Sequence, residues 1–203
     1  METLEDMDNR RGLSYPLHAF FSSATLRKLW VAARVPLACL CAAGILAVSQ
    51  RKWFAAAAGL SFFGEAMQLW CFAALNKNKV LATRGPYALV RNPMYLGRYF
   101  ILLGPALLTG RLWLAAVYTV FYYFYLVNRV RREEAVLAKR FPDEYPRYRE
   151  RVGRFVPRAW PADGHAVWVF NGRLLIKNHG VRNALGLLAF YAFAACRLML
   201  AGH

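Results

Sequence analysis

The chain has 203 residues, 58% of them hydrophobic, and 27 lysines and arginines against 11 acidic residues give it a net charge of +16. In a soluble protein that excess of base would indicate nucleic acid, but here the apolar residues form long blocks and the basic residues fill the gaps. This arrangement argues against a nucleic-acid partner and is typical of a multi-span membrane protein. The length suits a single domain, residues 1–203.

The N-terminal segment, residues 1–25, is predicted to be a cytoplasmic tail. Its first ten residues include Glu2, Glu5, Asp6 and Asp8 and have no apolar core, so no cleavable signal peptide is expected.

The four cysteines all fall inside apolar blocks, at positions Cys39, Cys41, Cys71 and Cys196. Cys39 and Cys41 are two residues apart, so on a helix they point to different sides. Neither a metal site nor a disulfide framework is expected from this spacing.

Five apolar blocks predict an all-α fold with about five transmembrane helices. They cover residues 29–49, 53–75, 94–109, 112–128 and 181–201. A full crossing takes about 20 residues, a length that the first, second and fifth blocks reach. The third and fourth are shorter and are separated only by Gly110 and Arg111, which predicts a tight helical hairpin. The segment 165–176 is too short to cross, so it is expected to lie at the interface or to re-enter.

The distribution of basic residues predicts the orientation. With the N-terminus in the cytoplasm, 21 of the 27 basic residues lie in inner segments, and the outer turns hold only Arg51, Lys52 and Arg111. The positive-inside rule therefore places the N-terminus, the C-terminal polar segment and the candidate site in the cytoplasm. A compact chain of this kind suits a prokaryotic plasma membrane.

Polar residues within the apolar blocks need partners or a function. Glu65, Gln68 and Ser61 share one face of the second block, and Arg98 lies in the third. A Glu65–Arg98 salt bridge that locks two helices and a direct role in substrate binding are equally compatible with this pattern.

The first polar block covers residues 79–95 and ends with Gly-Pro-Tyr-Ala-Leu-Val-Arg-Asn-Pro-Met-Tyr over residues 85–95. Gly85-Pro86 predicts a turn, and Asn92-Pro93 predicts an N-cap followed by the first helical residue. A helix N-terminus binds anions, so this entry suits a ligand with a carboxylate and a flat ring. A capped helix entry with interfacial aromatics explains the same residues. The side chains around it are Tyr87, Arg91 and Tyr95.

The second polar block covers residues 129–157. Arg129 and Glu133 are four residues apart and share a helix face, whereas Glu134 lies on another. A solvated charged helix is the simplest interpretation. However, the helix continues directly from the fourth apolar block, and the segment after it is amphipathic enough to fold back as a lid. That segment contains Tyr145, Tyr148 and Arg154-Phe155-Val156-Pro157.

Together, the two blocks resemble the isoprenylcysteine carboxyl methyltransferase and phospholipid methyltransferase family of integral membrane enzymes, over about residues 65–157. In that family a G-x-Y-x-x-x-R-H-P-x-Y segment and an R-x-x-x-E-E segment bind S-adenosylmethionine from the cytosolic side, and the substrate head group enters from the bilayer. The resemblance implies S-adenosylmethionine-dependent methyl transfer to a membrane-embedded lipid or prenyl-type acceptor, with carboxyl O-methylation expected first.

The resemblance also implies roles for individual residues. It implies that the cofactor is bound by twelve residues, namely Lys79, Val80, Leu81, Ala82, Tyr87, Arg91, Asn92, Pro93, Met94, Tyr95, Glu133 and Glu134. It assigns the acceptor to Arg129, which with Glu133 is expected to be catalytic. The departure is Asn92, which stands where the family has histidine. Asparagine keeps a hydrogen-bond donor and acceptor but cannot titrate, so a cofactor hydrogen bond is expected there and a general base is not.

Three alternatives compete with carboxyl methylation. One is phospholipid N-methylation, in which Glu133 or Glu134 would take a proton from the amine. Another is a sterol-reductase-like membrane oxidoreductase. The last is a non-catalytic scaffold whose basic loops bind anionic lipid.

Overall fold

The computed structural model describes residues 24–76, 80–161 and 164–201. Within these ranges the chain forms seven α-helices and no named strand, as the all-α prediction requires. The helices are α1 (Ala24–Ala47), α2 (Phe54–Ala74), α3 (Pro93–Leu108), α4 (Leu112–Arg140), α5 (Glu144–Arg151), α6 (Gly172–Lys177) and α7 (Gly180–Leu200). Short 3₁₀ turns cover Arg51–Trp53, Gly85–Ala88 and Gly164–Ala166.

The chain divides into two compact units, residues 1–44 and 45–203. In the first unit the described residues belong to α1, which has Pro36 in its interior. The second unit contains both polar blocks. The tail predicted over residues 1–25 lies outside the described residues except for its last two, which begin α1.

Among the described helices, α7 is long and apolar enough to cross a membrane by itself. The stretches Val35–Ala47 and Arg51–Ala74 qualify only when they are taken together as one broken span. The prediction of five spans, and of their orientation, therefore stays a prediction. The segment that was expected to lie at the interface contains the turn Gly164–Ala166 and the short helix α6.

The hairpin predicted between the third and fourth blocks is confirmed. Helices α3 and α4 are separated by three residues, of which Gly110 has a φ of 70° that favours glycine. The Tyr122 hydroxyl donates to the Tyr95 carbonyl at 2.7 Å and so ties the two helices together near the start of α3. Helix α4 continues to Arg140, so its charged half is an extension of the apolar half.

Helices α2 and α3 cross at backbone contact through small residues. A Cβ atom added to Gly64 would lie 2.5 Å from the Gly97 carbonyl oxygen, and one added to Gly104 would overlap Ser61. The Ser61 hydroxyl donates to the Ile101 carbonyl at 2.9 Å. Such close approach, with small residues and a hydroxyl at the contact, is typical of helix pairs in membranes.

The C-terminal segment packs against the α2–α3 pair. Tyr191 of α7 is buried in an apolar cluster with Ala57 and Leu108, and its hydroxyl donates to the Ala57 carbonyl at 2.9 Å. Just before α7, the Asn178 side chain donates to the carbonyls of Phe72 and Leu75, both at 2.9 Å. Asn178 thereby satisfies carbonyl groups that the end of α2 leaves without helical partners.

Candidate active site

The turn predicted at Gly85-Pro86 is present and requires its glycine. Gly85 has a φ of 64°, and a Cβ atom there would also lie 2.6 Å from the Ala74 side chain. The 3₁₀ turn that follows is buried along its whole length. Residues 85–88 therefore enter the site as a packed turn.

The boundary of α3 is where the sequence predicts it, but Asn92 does something else with its side chain. Asn92 occupies the N-cap position and Pro93 is the first helical residue, yet the Asn92 side chain makes no capping hydrogen bond. Its Nδ2 atom instead donates to Glu134 Oε1 at 3.2 Å. The hydrogen bond from the amide nitrogen to a charged acceptor thus orients the Asn92 side chain, and its oxygen caps no backbone amide.

Glu134 is the point at which the two polar blocks meet. Its Oε1 atom accepts from Arg91 Nη2 at 3.1 Å, and its Oε2 atom accepts from Arg154 Nη2 at 2.6 Å. Burial by itself would raise the pKa of this carboxyl group, but the hydrogen bond from Arg154 and the charges of both arginines outweigh burial and lower the pKa. We call Glu134, Arg91, Asn92 and Arg154 the Glu134 cluster.

The segment after α5 folds back onto the first polar block, as its amphipathic pattern predicts. The Arg91 and Asn92 amides donate to the carbonyls of Gly153 and Arg154 at 2.8 and 3.2 Å. The Tyr148 hydroxyl donates to the Tyr87 carbonyl at 2.7 Å, and burial raises the pKa of Tyr148. The role of this segment as a lid stays a prediction.

Tyr95 connects the two residues that were expected to be catalytic. Its hydroxyl donates to Glu133 Oε2 and accepts from Arg129 Nε at 3.2 Å. The hydrogen bond that Arg129 donates to Tyr95 raises the pKa of Arg129, which therefore stays a cation. Tyr95 is buried, whereas Glu133 and Arg129 are exposed, so a ligand can reach both charges while the ring beneath them is fixed.

Residues 79–82, which precede Gly85, differ in their exposure to solvent. Lys79 lies outside the described residues, Val80 is 60% exposed, and Leu81 is buried against Tyr145 and Tyr148. A cavity of about 690 Å³ opens beside these residues. Its lining includes Leu81, Ala88, Arg147, Tyr148, Arg151 and Trp160. Ala82 and Met94 are half-buried, and Pro93 is buried at the start of α3.

The salt bridge considered between Glu65 and Arg98 is not formed. Glu65 is 4% exposed and its Oε1 atom has no hydrogen-bond partner, while the Arg98 guanidinium lies 5.7 Å from the centroid of the Tyr95 ring. Glu65, Gln68 and Arg98 line a second cavity, of about 550 Å³. Of the two alternatives that the sequence left open, the salt bridge is therefore absent, and a role in substrate binding stays a prediction.

The model of the phospholipid methyltransferase family matches residues 36–144, more than half of the chain and a range that includes the first polar block, Arg129, Glu133 and Glu134. The chain belongs to this family. The resemblance inferred from the two polar blocks is therefore confirmed.

Curated relatives match over shorter ranges. The chain is 33% identical over 103 residues to the cobalt-zinc-cadmium resistance protein CzcN of Cupriavidus metallidurans, covering 50% of this chain and 47% of the relative. It is 34% identical over 82 residues to the protein-S-isoprenylcysteine O-methyltransferase of Schizosaccharomyces pombe, covering 40% and 35%. It is 30% identical over 93 residues to the nickel-cobalt-cadmium resistance protein NccN of Alcaligenes xylosoxydans xylosoxydans, covering 45% and 43%.

The aligned region thus spans less than half the length of each of these relatives. No solved structure matches the chain.

Proposed function

We propose that the protein transfers a methyl group from S-adenosylmethionine to a membrane-dissolved acceptor that carries a carboxylate. The observation that carries this proposal is the contact among Tyr95, Arg129 and Glu133, which presents a cation and an anion side by side at the end of the apolar part of α4. Family membership adds the methyl-transfer chemistry.

The residues around Tyr95 fit the charges of S-adenosylmethionine. That molecule carries an ammonium, a sulfonium and a carboxylate, and when bound it supplies an electrophilic methyl group. The exposed Glu133 carboxylate suits the cationic groups. The Asn92 side chain does not cap the first turn of α3, and the positive end of a helix dipole attracts carboxylates. Glu133 and the start of α3 would therefore hold the cofactor.

Glu133 and its neighbour Glu134 then have different roles. Glu134 is 8% exposed and is held by two arginines, so it positions the two polar blocks. Glu133 is exposed and holds the ligand's charge. Arg129, one helical turn nearer the apolar half of α4, orients the acceptor carboxylate through a charge-assisted hydrogen bond.

A carboxylate acceptor requires little more from the protein than alignment and the exclusion of water. Carboxyl groups are already ionised near neutral pH, so no proton has to be removed. The segment 152–156, which packs over the first polar block, suits the exclusion of water.

Phospholipid N-methylation is the second candidate, and the family's description favours it. An amine acceptor must lose a proton, and Glu133 is the exposed carboxylate in position to take it. Membership of a methyltransferase family favours both candidates over the oxidoreductase and scaffold alternatives.

The activity is tested by incubating the purified protein with labelled S-adenosylmethionine and host lipid extract, followed by identification of the labelled lipid. We expect a methyl ester that mild base removes. A base-stable methylamine would show that the acceptor is an amine and not a carboxylate. A folded protein that binds no S-adenosylmethionine by calorimetry would overturn the proposal.

The roles of the two exposed charges are separated by two variants. Glu133→Gln should weaken the binding of S-adenosylmethionine in calorimetry, whereas Arg129→Ala should leave it nearly intact and lower turnover by about tenfold or more. Arg132→Ala removes an exposed arginine from another face of the same helix and serves as the matched control. If Arg129→Ala abolished cofactor binding and Glu133→Gln did not, the two roles would be exchanged.

A further inference from the structure

The second cavity, described above, lies among α2, α3 and α7, away from the Glu134 cluster. Its polar lining consists of Glu65, Gln68, Arg98, Arg182 and Asn183, and its apolar lining includes Ile101, Leu102, Pro105, Leu187 and Phe190. Two guanidinium groups and one carboxyl group leave an excess of positive charge at one end of an otherwise apolar space. A ligand with an acidic head and an apolar body has the matching chemistry.

Glu65 indicates that this cavity is built for a ligand. A buried carboxyl oxygen without a partner costs about 1–3 kcal/mol or more, so such atoms are rare in folded proteins. Glu65 is 4% exposed, its Oε1 atom has no partner, and Arg98 on the same cavity wall does not pair with it. An acceptor is therefore held in place for a hydrogen-bond donor that the chain itself does not provide.

The cavity is accessible from the side of α7. Arg182, Asn183 and Gly186 are exposed, and α7 is the helix that is apolar enough to cross a membrane. A molecule dissolved in the bilayer would therefore reach the cavity laterally, between α7 and the α2–α3 pair, without leaving the lipid.

Arg98 connects the cavity to the candidate active site. Its guanidinium lies over the Tyr95 ring, whose hydroxyl contacts Glu133 and Arg129. A head group held by Arg98 would therefore be separated from the proposed methyl-transfer residues by a single side chain.

We propose that this cavity holds the acceptor before methyl transfer, as an acidic amphiphile with its carboxylate or phosphate between Arg98 and Arg182 and a hydrogen-bond donor of the head group on Glu65. For transfer, the head group moves past Tyr95 to Arg129. The identification of this ligand as the methyl acceptor rests on the proposed function. The existence of the site does not.

The test uses the intact protein in an uncharged maltoside detergent and the fluorescent fatty acid cis-parinaric acid, with its methyl ester as the uncharged control. We expect the acid to bind at least tenfold more tightly than the ester, since a hydrogen bond to a charged group contributes about that factor. Arg98→Gln and Arg182→Gln should each remove most of this preference, and Arg173→Gln, an exposed arginine outside the cavity, should not.

A cavity-filling variant keeps the test independent of charge. A Cβ atom added to Gly186 meets no atom within 4 Å, so Gly186→Leu should fold and fill the space. It should lower binding of the acid and of the ester by tenfold or more. Gly59 on α2 is equally free of neighbours and does not line the cavity, so Gly59→Leu should bind as the parent does.

Competition by lysophosphatidic acid and by a saturated fatty acid distinguishes a phosphate head from a carboxylate head. Equal binding of acid and ester, or unchanged binding by Gly186→Leu, would overturn the inference. Calorimetry with S-adenosylmethionine on the same samples separates the two proposals. Amphiphile binding without cofactor binding would support the ligand site in the cavity and refute methyl transfer from S-adenosylmethionine. Cofactor binding without amphiphile binding would support the cofactor site and refute the ligand site in the cavity.

Discussion

Among the residues that the structure describes, two carboxyl groups are buried, and their surroundings are opposite in kind. Glu134 is 8% exposed and accepts hydrogen bonds from Arg91, Asn92 and Arg154. Glu65 is 4% exposed and has an oxygen without any partner. The first arrangement fixes two distant stretches of chain against each other, and the second leaves binding capacity unused. The difference assigns a structural role to the Glu134 carboxyl group and is the basis on which we proposed a ligand-binding role for the Glu65 carboxyl group.

The largest effect should come from breaking the paired carboxylate. Glu134→Gln leaves Arg91 and Arg154 buried or half-buried without an anion, and removal of one partner from a buried pair costs about 3–5 kcal/mol. The unfolding temperature in detergent should fall by about 10 °C. Glu150→Gln, at an exposed carboxylate, is the matched control and should leave it unchanged. Equal unfolding temperatures for the two variants would contradict a structural role for Glu134.

Acid should reproduce part of that loss. The pKa of Glu134 is lowered on folding, so its contribution to stability is fully present above the carboxyl pKa of the unfolded chain, about 4.3, and disappears as the pH falls through the lower folded value. Unfolding temperatures measured from pH 7 to pH 3 should therefore fall more steeply for the parent than for Glu134→Gln. Glu150→Gln should keep the parent's slope, and identical slopes for all three proteins would be inconsistent with the assignment.

Substitution of the unpaired carboxyl group, Glu65, should raise stability, whereas substitution of Glu134 lowers it. Glu65→Met removes a buried acceptor without a partner, which should stabilise the ligand-free protein by about 1–3 kcal/mol and raise its unfolding temperature by a few degrees. Methyl transfer should fall at the same time, a trade of function for stability. Glu65→Gln keeps a polar group in place and should gain less. A lower unfolding temperature for Glu65→Met would show that Glu65 is structural.

The smallest effect should come from position 92, the departure from the family pattern. Histidine carries a ring N–H that can replace the Asn92 donor to Glu134, so Asn92→His should change stability by less than about 1 kcal/mol. Asn92→Leu removes the donor and should cost about 1.5 kcal/mol, the lower end for a hydrogen bond to a charged group, since two arginines still hold Glu134. Thermal unfolding distinguishes the variants, and a larger loss for histidine than for leucine would refute this explanation.

The sequence predicts the bounds of the helices better than it predicts the hydrogen-bond partners of individual side chains. Apolar block lengths place α2, α7 and the α3–α4 hairpin close to their bounds, and Asn92-Pro93 marks the start of α3, because these features depend on local chain properties. Helical spacing also predicts that Arg129 and Glu133 share a face of α4, although it does not predict that Tyr95 of α3 connects them.

The use of individual side chains could not be predicted in the same way. Asn92 bonds to a carboxylate 42 residues away, and Arg98 lies on an aromatic ring and not on Glu65. Each outcome is a competition among donors and acceptors that meet only after the helices pack. Helical periodicity gives the face on which a residue lies, but it does not give the strongest acceptor on the opposite helix.

The glycine contact between α2 and α3 has a consequence for how this protein could change its acceptor. Two of the three walls of the second cavity belong to helices that touch through Gly64 and Gly97, where even one added carbon would collide with backbone. The spacing of those two helices therefore cannot accommodate larger side chains at the contact. The third wall is α7, where Gly186 leaves open space. Substitutions that adapt the cavity to a new acceptor should therefore accumulate on the face of α7 that lines it. The α2–α3 pair, and with it the position of Tyr95, would stay unchanged.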